Sequence, residues 1–329
     1  MMPVAVAAVE GVAYGAAETN LLACRGDEWE QLKRLALEAV PSPSSRRVYS
    51  TCLDHFAAWY FAEPRLPFGK SIVQQYRTAI EREGYAPATV AIHLAALRKL
   101  AEEAADDGLL DAQVAASVCR LRGPRRLGRR LGKWLGVEEA EALICAPGAD
   151  TLKGLRDQAI LCVAIGCGLR RSEVAALVVD HLQIRDGRWL IADIVGKHGR
   201  IRTVPVPAWV MDHIQRWLDR ADISSGRVFR AMNKAFQITG ASLTPQAVYE
   251  VARTYGYRAG LRVAPHDLRR TFAKLAYSGG AAVDQIQYSL GHASLTTTEL
   301  YLGIRQDLRH APGDRIQLKV APTGAKADK

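Results

Sequence analysis

The sequence has few cysteines and no long apolar run. Its six cysteines are scattered and form no C-x-x-C pair, so they indicate neither a zinc site nor a redox dithiol, and we expect buried, reduced thiols. No apolar stretch reaches the length that spans a membrane. The first twenty residues lack the basic residues of a secretory signal. We therefore expect a cytoplasmic protein that binds no metal.

Positive charge is what the sequence has in excess. The 329 residues include 44 Lys and Arg against 34 Asp and Glu, a formal net charge of +10. Much of the excess is arginine, whose planar guanidinium suits bidentate contacts with phosphate. This balance favours a polyanionic partner such as nucleic acid, although charge alone also fits an ordinary basic protein. The length and the 49% of hydrophobic residues suffice for two domains.

Helical periodicity runs through the first third of the chain and ends at a basic segment. Between Cys119 and Gly136 the sequence CRLRGPRRLGRRLGKWLG has no acidic residue, and its glycines and proline oppose a long helix. Its cations are Arg120, Arg122, Arg125, Arg126, Arg129, Arg130 and Lys133. They could lie along a sugar-phosphate backbone or belong to a solvated hinge, and both interpretations place a domain boundary there. Arg98 and Lys99, off the apolar face of the preceding helical segment, are further candidates for DNA contacts.

The second half of the chain alternates between helical and β-rich segments. The runs LQIR, RWLIADIV and IRTVPV are separated by Asp186-Gly187 and by Gly196 to Gly199, which predicts a small antiparallel sheet with two hairpin turns. Helical spacing resumes afterwards and continues to Tyr301. We therefore predict a mainly α fold with a small antiparallel β-sheet, of the α+β class.

The segment from His266 to Tyr301 holds side chains that suit phosphodiester chemistry without a metal. His266 and Arg269 are three apart on a predicted helix, so they share a face and can converge on one anion. His292 follows a Leu-Gly step, and Tyr301 closes the run. Positive donors with a phenol describe a phosphate held by fixed charges and attacked by a tyrosine oxygen. Taken singly, each of these residues also fits a structural role.

Two further cations lie in separate segments. Arg170 follows a predicted helix end at Gly166 and Gly168, at a turn where a guanidinium projects with little freedom. Lys197 sits at the tip of the second predicted hairpin, where an ammonium can reach a substrate and give up a proton. Taken alone, each is better explained as a surface residue, Arg170 beside a helix cap and Lys197 at a hairpin tip.

Together, five segments resemble the tyrosine recombinase family, also called phage integrases. They are GCGLRRSEVAAL, VGKHGRIRTVPV, HDLRRTFA, LGHAS and TTTELY. More loosely, SRRVYSTCLDHFAAW and ATVAIHLAALRKL resemble the helical core-binding domain of the family. The resemblance implies a core-binding bundle at residues 21–121, a basic linker at 122–136 and a mixed catalytic domain at 137–310. Residues 1–20 and 311–329 are expected to be flexible ends.

The resemblance also implies a role for each of the singled-out residues. Tyr301 would attack a backbone phosphate and form a 3′-phosphotyrosine, while Lys197 would protonate the leaving 5′-oxygen. Arg170 and Arg269 would hold the non-bridging oxygens of that phosphate. No cofactor is needed, because the covalent intermediate conserves the energy of the broken bond.

Three more residues complete the implied site. His292 would add a hydrogen bond to the phosphate, His266 would assist proton movement at the tyrosine, and Glu173 would orient the first arginine. The implied partner is duplex DNA carrying specific sites, and the implied assembly is a homo-oligomer, a tetramer on two duplexes. Two positions depart from the family: Arg270 stands where a histidine is frequent, and Leu302 where another residue is often seen.

Two other functions fit the same segments. A type IB topoisomerase-like enzyme would use the same chemistry as a monomer and reseal its own strand. A DNA-binding regulator could keep the fold without needing the catalytic residues. The presence of the full residue set argues against the regulator. Assembly separates the other two functions, because a recombinase needs contacts between protomers and acts on paired specific sites.

Overall fold

The structure, a computed structural model, describes residues 27–124, 133–196 and 199–303. The chain divides into two compact units, Met1–Arg129 and Arg130–Lys329. Among the described residues, no helix is long and apolar enough to cross a membrane.

The first unit is helical throughout its described part. Its helices are α1 (Asp27–Glu38), α2 (Pro43–Phe61), α3 (Lys70–Arg82), α4 (Pro87–Asp106) and α5 (Ala112–Cys119). Proline occupies the first turn of α2 and of α4, where its missing N–H costs no hydrogen bond. Asp111 caps α5 by accepting from the backbone N–H groups of Gln113 and Val114.

The core of the first unit is built around aromatic side chains. Phe56 of α2 and Tyr76 of α3 are fully buried and meet edge to face, with ring centroids 5.1 Å apart. The apolar face predicted for α4 is confirmed, since Val90, Leu94 and Leu97 are all buried. These buried side chains form one contiguous hydrophobic core in the first unit.

The second unit combines helices with a small sheet. Its helices are α6 (Val137–Cys145), α7 (Leu152–Gly166), α8 (Arg171–Ala176), α9 (Ala208–Arg220), α10 (Pro245–Arg258), α11 (Pro265–Ser278), α12 (Val283–Leu290) and α13 (Leu295–Leu302). Its strands are β1 (Leu182–Arg185), β2 (Arg188–Val195) and β3 (Ile201–Pro205). The predicted mainly α fold with a small sheet is therefore confirmed.

The sheet has the order β1-β2-β3, and both of its strand pairs are antiparallel. Asp186 and Gly187 join β1 to β2, both with positive φ, as a two-residue hairpin turn requires. The register of β2 against β3 shifts between Ile191 and Ile194. Past this shift, Ile194 pairs with Arg202.

Helix α7 is the centre of the second unit. Almost every side chain of α7 is buried, and its last residue, Gly166, faces α9. A Cβ at Gly166 would lie 2.4 Å from a Val210 methyl carbon, so only glycine permits this close approach of the two helices. The chain then turns at Gly168, whose φ is +61°, and Arg170 lies at the start of α8.

The expectation of buried cysteines is only partly right. Cys52, Cys162 and Cys167 are buried, but Cys119 is partly exposed and Cys145 is exposed. Cys145 is the last residue of α6, and its side chain is not covered by the core. Within the described ranges no group of three His, Cys, Asp or Glu side chains is arranged to hold a metal ion.

Candidate active site

Four segments of the second unit bring the predicted site residues together. Arg170 lies at the N-cap of α8, and His266 and Arg269 lie in the first turns of α11. His292 follows the left-handed turn that ends α12, and Tyr301 lies in α13. The ring of Tyr301 meets both imidazoles edge to face, with centroids 5.5 Å from His266 and 5.2 Å from His292.

Arg170 is held by the carboxylate of Glu173. The backbone N–H of Arg170 donates to one Glu173 oxygen at 2.7 Å, and its guanidinium donates to the other at 2.8 Å. Burial alone would raise the pKa of Glu173. Hydrogen bonds and positive charge from Arg202 and Arg170 outweigh burial and lower that pKa to about 2. The carboxylate is therefore a permanent anion that fixes the arginine.

Arg269 is a buried cation anchored to two backbone carbonyls. Its side chain donates to the carbonyl of Gly168 at 2.6 Å and to the carbonyl of Leu290. Burial, followed by repulsion from Arg170, lowers its pKa to about 10. The guanidinium thus stays charged at neutral pH, is poorly hydrated, and links the turn before α8 to the end of α12.

His292 is oriented by Thr298 of α13. Its Nδ1 lies 3.0 Å from the hydroxyl oxygen of Thr298, a residue with no exposed surface. Burial, followed by the charges of Arg269 and Arg170, lowers the pKa of His292 to about 4. The imidazole is therefore neutral at pH 7, and its Nε2 is the ring nitrogen not engaged by this threonine.

Tyr301 lies in an electropositive environment. Its hydroxyl donates to the backbone carbonyl of His266 at 3.4 Å, and the guanidinium of Arg270 lies 5.2 Å from its ring centre. Burial raises the pKa of the phenol, whereas the charges of Arg269 and Arg270 act to lower it. Burial outweighs these charges, so the pKa of the phenol lies above its ordinary value and the tyrosine needs a proton acceptor to become a nucleophile.

His266 is the most solvent-exposed of these side chains. Loss of solvation, together with the charges of Arg270 and Arg269, lowers its pKa below the ordinary histidine value. It is therefore mainly neutral at pH 7. The tyrosine hydroxyl contacts its backbone carbonyl and not its imidazole.

Arg202 of β3 is a member of this cluster that the sequence reasoning missed. Its two terminal nitrogens donate to the two oxygens of Glu173, both at 2.8 Å, and its Nε donates to the carbonyl of Ser289 at 2.9 Å. One signal was present in the sequence. Val204 is an apolar residue two positions further along the predicted strand, and strand residues two apart share a face. If Val204 faces the core, so does Arg202, and a charge there needs a partner.

The structure describes only some of the predicted cations of the site and of the linker. Lys197 and the linker residues Arg125, Arg126, Arg129 and Arg130 lie outside the described residues. Of the other linker cations, Arg120, Arg122 and Lys133 are exposed.

The two candidates on α4 have partners inside the helical unit. Arg98 donates to the carbonyl of Leu121. Lys99 pairs with Glu103 at 2.6 Å and with Glu102 at 3.6 Å. Both cations are partly buried. Arg98 satisfies a backbone carbonyl and Lys99 neutralises carboxylates, all within the first unit.

Comparison with known proteins identifies the same family. The sequence model of the phage integrase family matches residues 133–307. The tyrosine recombinase XerD of Pseudomonas aeruginosa is 30% identical over 293 residues, which covers 85% of this chain and 95% of that protein. The tyrosine recombinase XerC of Myxococcus xanthus is 37% identical over 225 residues, covering 66% of this chain and 72% of the relative.

Solved structures agree in fold. The XerH site-specific recombinase bound to a palindromic difH substrate, in a post-cleavage complex, has a TM-score of 0.64 at 21% identity, covering 88% of this chain and 83% of that one. A lambda integrase dimer bound to a COC′ core site has a TM-score of 0.62 at 16% identity, covering 88% and 79%.

The second unit combines helices with a small sheet and brings two arginines, two histidines and a tyrosine together. This set of side chains is typical of a phosphoryl-transfer enzyme. The chain belongs to the phage integrase family, that of the tyrosine recombinases. It is a site-specific recombinase, an enzyme that breaks and rejoins DNA strands.

Proposed function

We propose that Tyr301 carries out the strand breakage. The observation that supports this best is the position of its phenol ring, which meets two imidazoles edge to face and has the guanidinium of Arg270 5.2 Å from its centre. Its oxygen would attack a backbone phosphorus, forming the bond to phosphorus as the bond to the 5′-oxygen breaks. The products are a 3′-phosphotyrosine and a 5′-hydroxyl, and the reverse reaction with another strand rejoins the DNA.

The negative charge that builds on phosphorus would be met by Arg170 and Arg269. Both guanidiniums are already fixed, the first by Glu173 and the second by two backbone carbonyls. Donors that need no reorganisation stabilise a transition state more effectively than mobile ones. Planar guanidinium groups also match the geometry of phosphate oxygens.

His292 would donate a hydrogen bond to the same phosphate as a neutral imidazole. If the Thr298 hydroxyl donates to Nδ1, the ring proton resides on Nε2, the nitrogen not engaged by Thr298. The low pKa of His292 agrees with this neutral role. Thr298 would then set the tautomer.

Two proton transfers complete the reaction. His266, neutral at pH 7 and in ring contact with Tyr301, would accept the phenolic proton, directly or through a water. Lys197 would protonate the leaving 5′-oxygen. This second role rests on the resemblance of the hairpin sequence alone.

The rest of the chain would hold the DNA. In this proposal, residues 21–121 form the core-binding domain, residues 122–136 a basic linker that lies along the phosphate backbone, and residues 137–310 the catalytic domain. Four protomers would act on two duplexes in the cytoplasm. A lambda integrase tetramer bound to a Holliday junction has the same fold, with a TM-score of 0.60.

The experiment that tests this function is covalent trapping on DNA. The target site would first be selected from randomised duplexes bound by the full-length protein, then synthesised with a nick beside the scissile phosphate so that the released fragment is lost. We expect the wild type to form a protein-DNA adduct that survives detergent. Tyr301→Phe should form none, whereas Tyr288→Phe, which alters an exposed tyrosine of α12, should behave like the wild type.

Three results would contradict the proposal. An adduct of normal yield with Tyr301→Phe would exclude this nucleophile. Absence of any adduct with the wild type, on DNA that it binds tightly, would favour a regulator that binds without cleaving. Relaxation of supercoiled plasmid by the monomer, with no exchange between sites, would instead favour the topoisomerase-like activity.

A further inference from the structure

Arg202 joins three segments that form the active site. It lies on β3, and its guanidinium spans from Glu173 on α8 to the carbonyl of Ser289 near the end of α12. Its side chain is only 9% exposed. A buried arginine must be matched by acceptors in well-defined positions, and these acceptors lie on the segments that carry Arg170 and His292.

The contact with Glu173 couples Arg202 to Arg170. Arg202 meets the carboxylate with both terminal nitrogens, in the fork geometry that is the most specific arrangement of such a pair. Arg170 shares the same carboxylate. Loss of Arg202 would leave Glu173 held by Arg170 alone, and the carboxylate could then rotate and carry that arginine with it.

The contact with α12 couples Arg202 to His292. Its Nε donates to Ser289, and its stem packs against Gly291, where an added Cβ would lie 2.9 Å from the Arg202 Cδ. Gly291 has a φ of +61° and immediately precedes the histidine. Arg202 thus supports the turn that aims His292.

The start of the β2–β3 turn is packed against the same cluster. A Cβ added at Gly196 would lie 3.3 Å from a terminal nitrogen of Arg202 and 3.5 Å from one of Arg170. Gly196 is the residue before Lys197. The base of the turn therefore rests on both guanidiniums.

We propose that Arg202 is a positioning residue for strand cleavage, which locks the first-arginine segment, the β3 hairpin and the His292 turn into one geometry. The inference rests on the proposed function. Three of the five N–H groups of Arg202 are engaged by Glu173 and Ser289, so we assign it no direct contact with the phosphate. A displacement of about 1 Å in a catalytic group can cost about 100-fold in rate, which is the loss expected when this support is removed.

The test compares Arg202→Met and Arg202→Lys with Arg188→Met, a control that removes an exposed arginine from β2 of the same sheet. Each full-length protein is assayed for affinity on intact selected DNA and for the rate of covalent trapping on the nicked duplex. Arg202→Met should trap about 100-fold more slowly with its affinity changed less than about 3-fold. Arg202→Lys keeps the charge but not the fork, so it should be intermediate, and the control should match the wild type.

A second readout needs no DNA and separates positioning from general stabilisation. The pKa of His292 would be followed by NMR, and in Arg202→Met it should rise from its low value, because the turn loosens and one cation is removed.

Trapping by Arg202→Met within about 3-fold of the wild type, or a loss explained entirely by weaker DNA binding, would overturn the inference alone. If Arg202→Met does not fold, Arg202→Lys decides: unchanged trapping and an unchanged His292 pKa would overturn it. A wild type that traps no DNA would refute the proposed function and this inference with it.

Discussion

Removal of the charge on Glu173 should destabilise the second unit strongly. The carboxylate is 3% exposed and accepts hydrogen bonds from Arg170 and from both terminal nitrogens of Arg202. In Glu173→Gln the side chain keeps its size, but one oxygen becomes an NH₂ group that faces a guanidinium. Arg202, itself almost buried, then has no counter-charge from this position.

Two independent arguments give the size of the effect. Breaking a buried ion pair by removing one partner costs about 3–5 kcal/mol. The pKa of Glu173 falls from 4.5 to about 2 on folding, and at about 1.4 kcal/mol for each pKa unit this corresponds to roughly 3 kcal/mol. The two estimates overlap, so we expect a loss of about 3 kcal/mol in the free energy of unfolding at pH 7.

The lowered pKa of Glu173 also determines how this stabilisation depends on pH. Because the folded pKa lies below the unfolded one, the stabilisation is complete above pH 4.5 and disappears as the pH falls through about 2. The difference between the wild type and Glu173→Gln should therefore be constant from pH 7 down to about 5. It should shrink steadily below pH 4.5.

Urea denaturation would measure this difference, with hydrogen exchange of backbone amides assigning the transition to the second unit. Glu141→Gln, which neutralises an exposed carboxylate on α6, is the matched control and should change stability by less than about 0.5 kcal/mol. A loss below about 1 kcal/mol for Glu173→Gln, or a gap that does not narrow in acid, would refute the reasoning.

Three further predictions concern the catalytic groups. Gly291→Ala should reduce covalent trapping sharply, because it places a Cβ at a φ of +61° and 2.9 Å from Arg202 Cδ; normal trapping would show that the turn tolerates a side chain. Arg270→His should raise the pKa of Tyr301, because a permanent cation beside the phenol is lost. The pH range over which the trapping rate rises as the phenol loses its proton should therefore move upward, and an unchanged range would count against this role. The pKa of His292 is about 4 in the folded protein and 6.5 as a free side chain, so protonation favours the unfolded chain. The free energy of unfolding should therefore fall as the pH drops from about 6.5 to 4. His292→Gln should remove that part of the pH dependence, and an unchanged profile would show that the histidine is not buried as described.

The fold was predictable where local sequence patterns decide the structure. Alternating β-rich runs around Asp186-Gly187 suffice for the first hairpin, because a two-residue turn with positive φ has few alternatives. The apolar face of α4 follows from the spacing of Val90, Leu94 and Leu97. The exposure of Cys145 was not predictable, because it depends on which side of a short helix the core covers.

The site was predictable in its members but not in its connections. Motif order indicated that Arg170, His266, Arg269, His292 and Tyr301 would converge, and the described structure brings them together. The link from Arg202 to Glu173 and Ser289 joins residues 29 and 87 positions apart. Such contacts are set by tertiary packing, and local periodicity carries no information about them.

If Tyr301 is the nucleophile, its phenolic oxygen becomes bonded to DNA, and mass spectrometry of the trapped adduct shows which residue carries the bond. After digestion by nuclease and trypsin, residues 275–305 form one peptide that contains Tyr277, Tyr288 and Tyr301. We expect fragmentation to place the phosphonucleotide on Tyr301 and the released strand to carry a 5′-hydroxyl. A phosphonucleotide on either of the other two tyrosines, or on any serine or threonine, would contradict it.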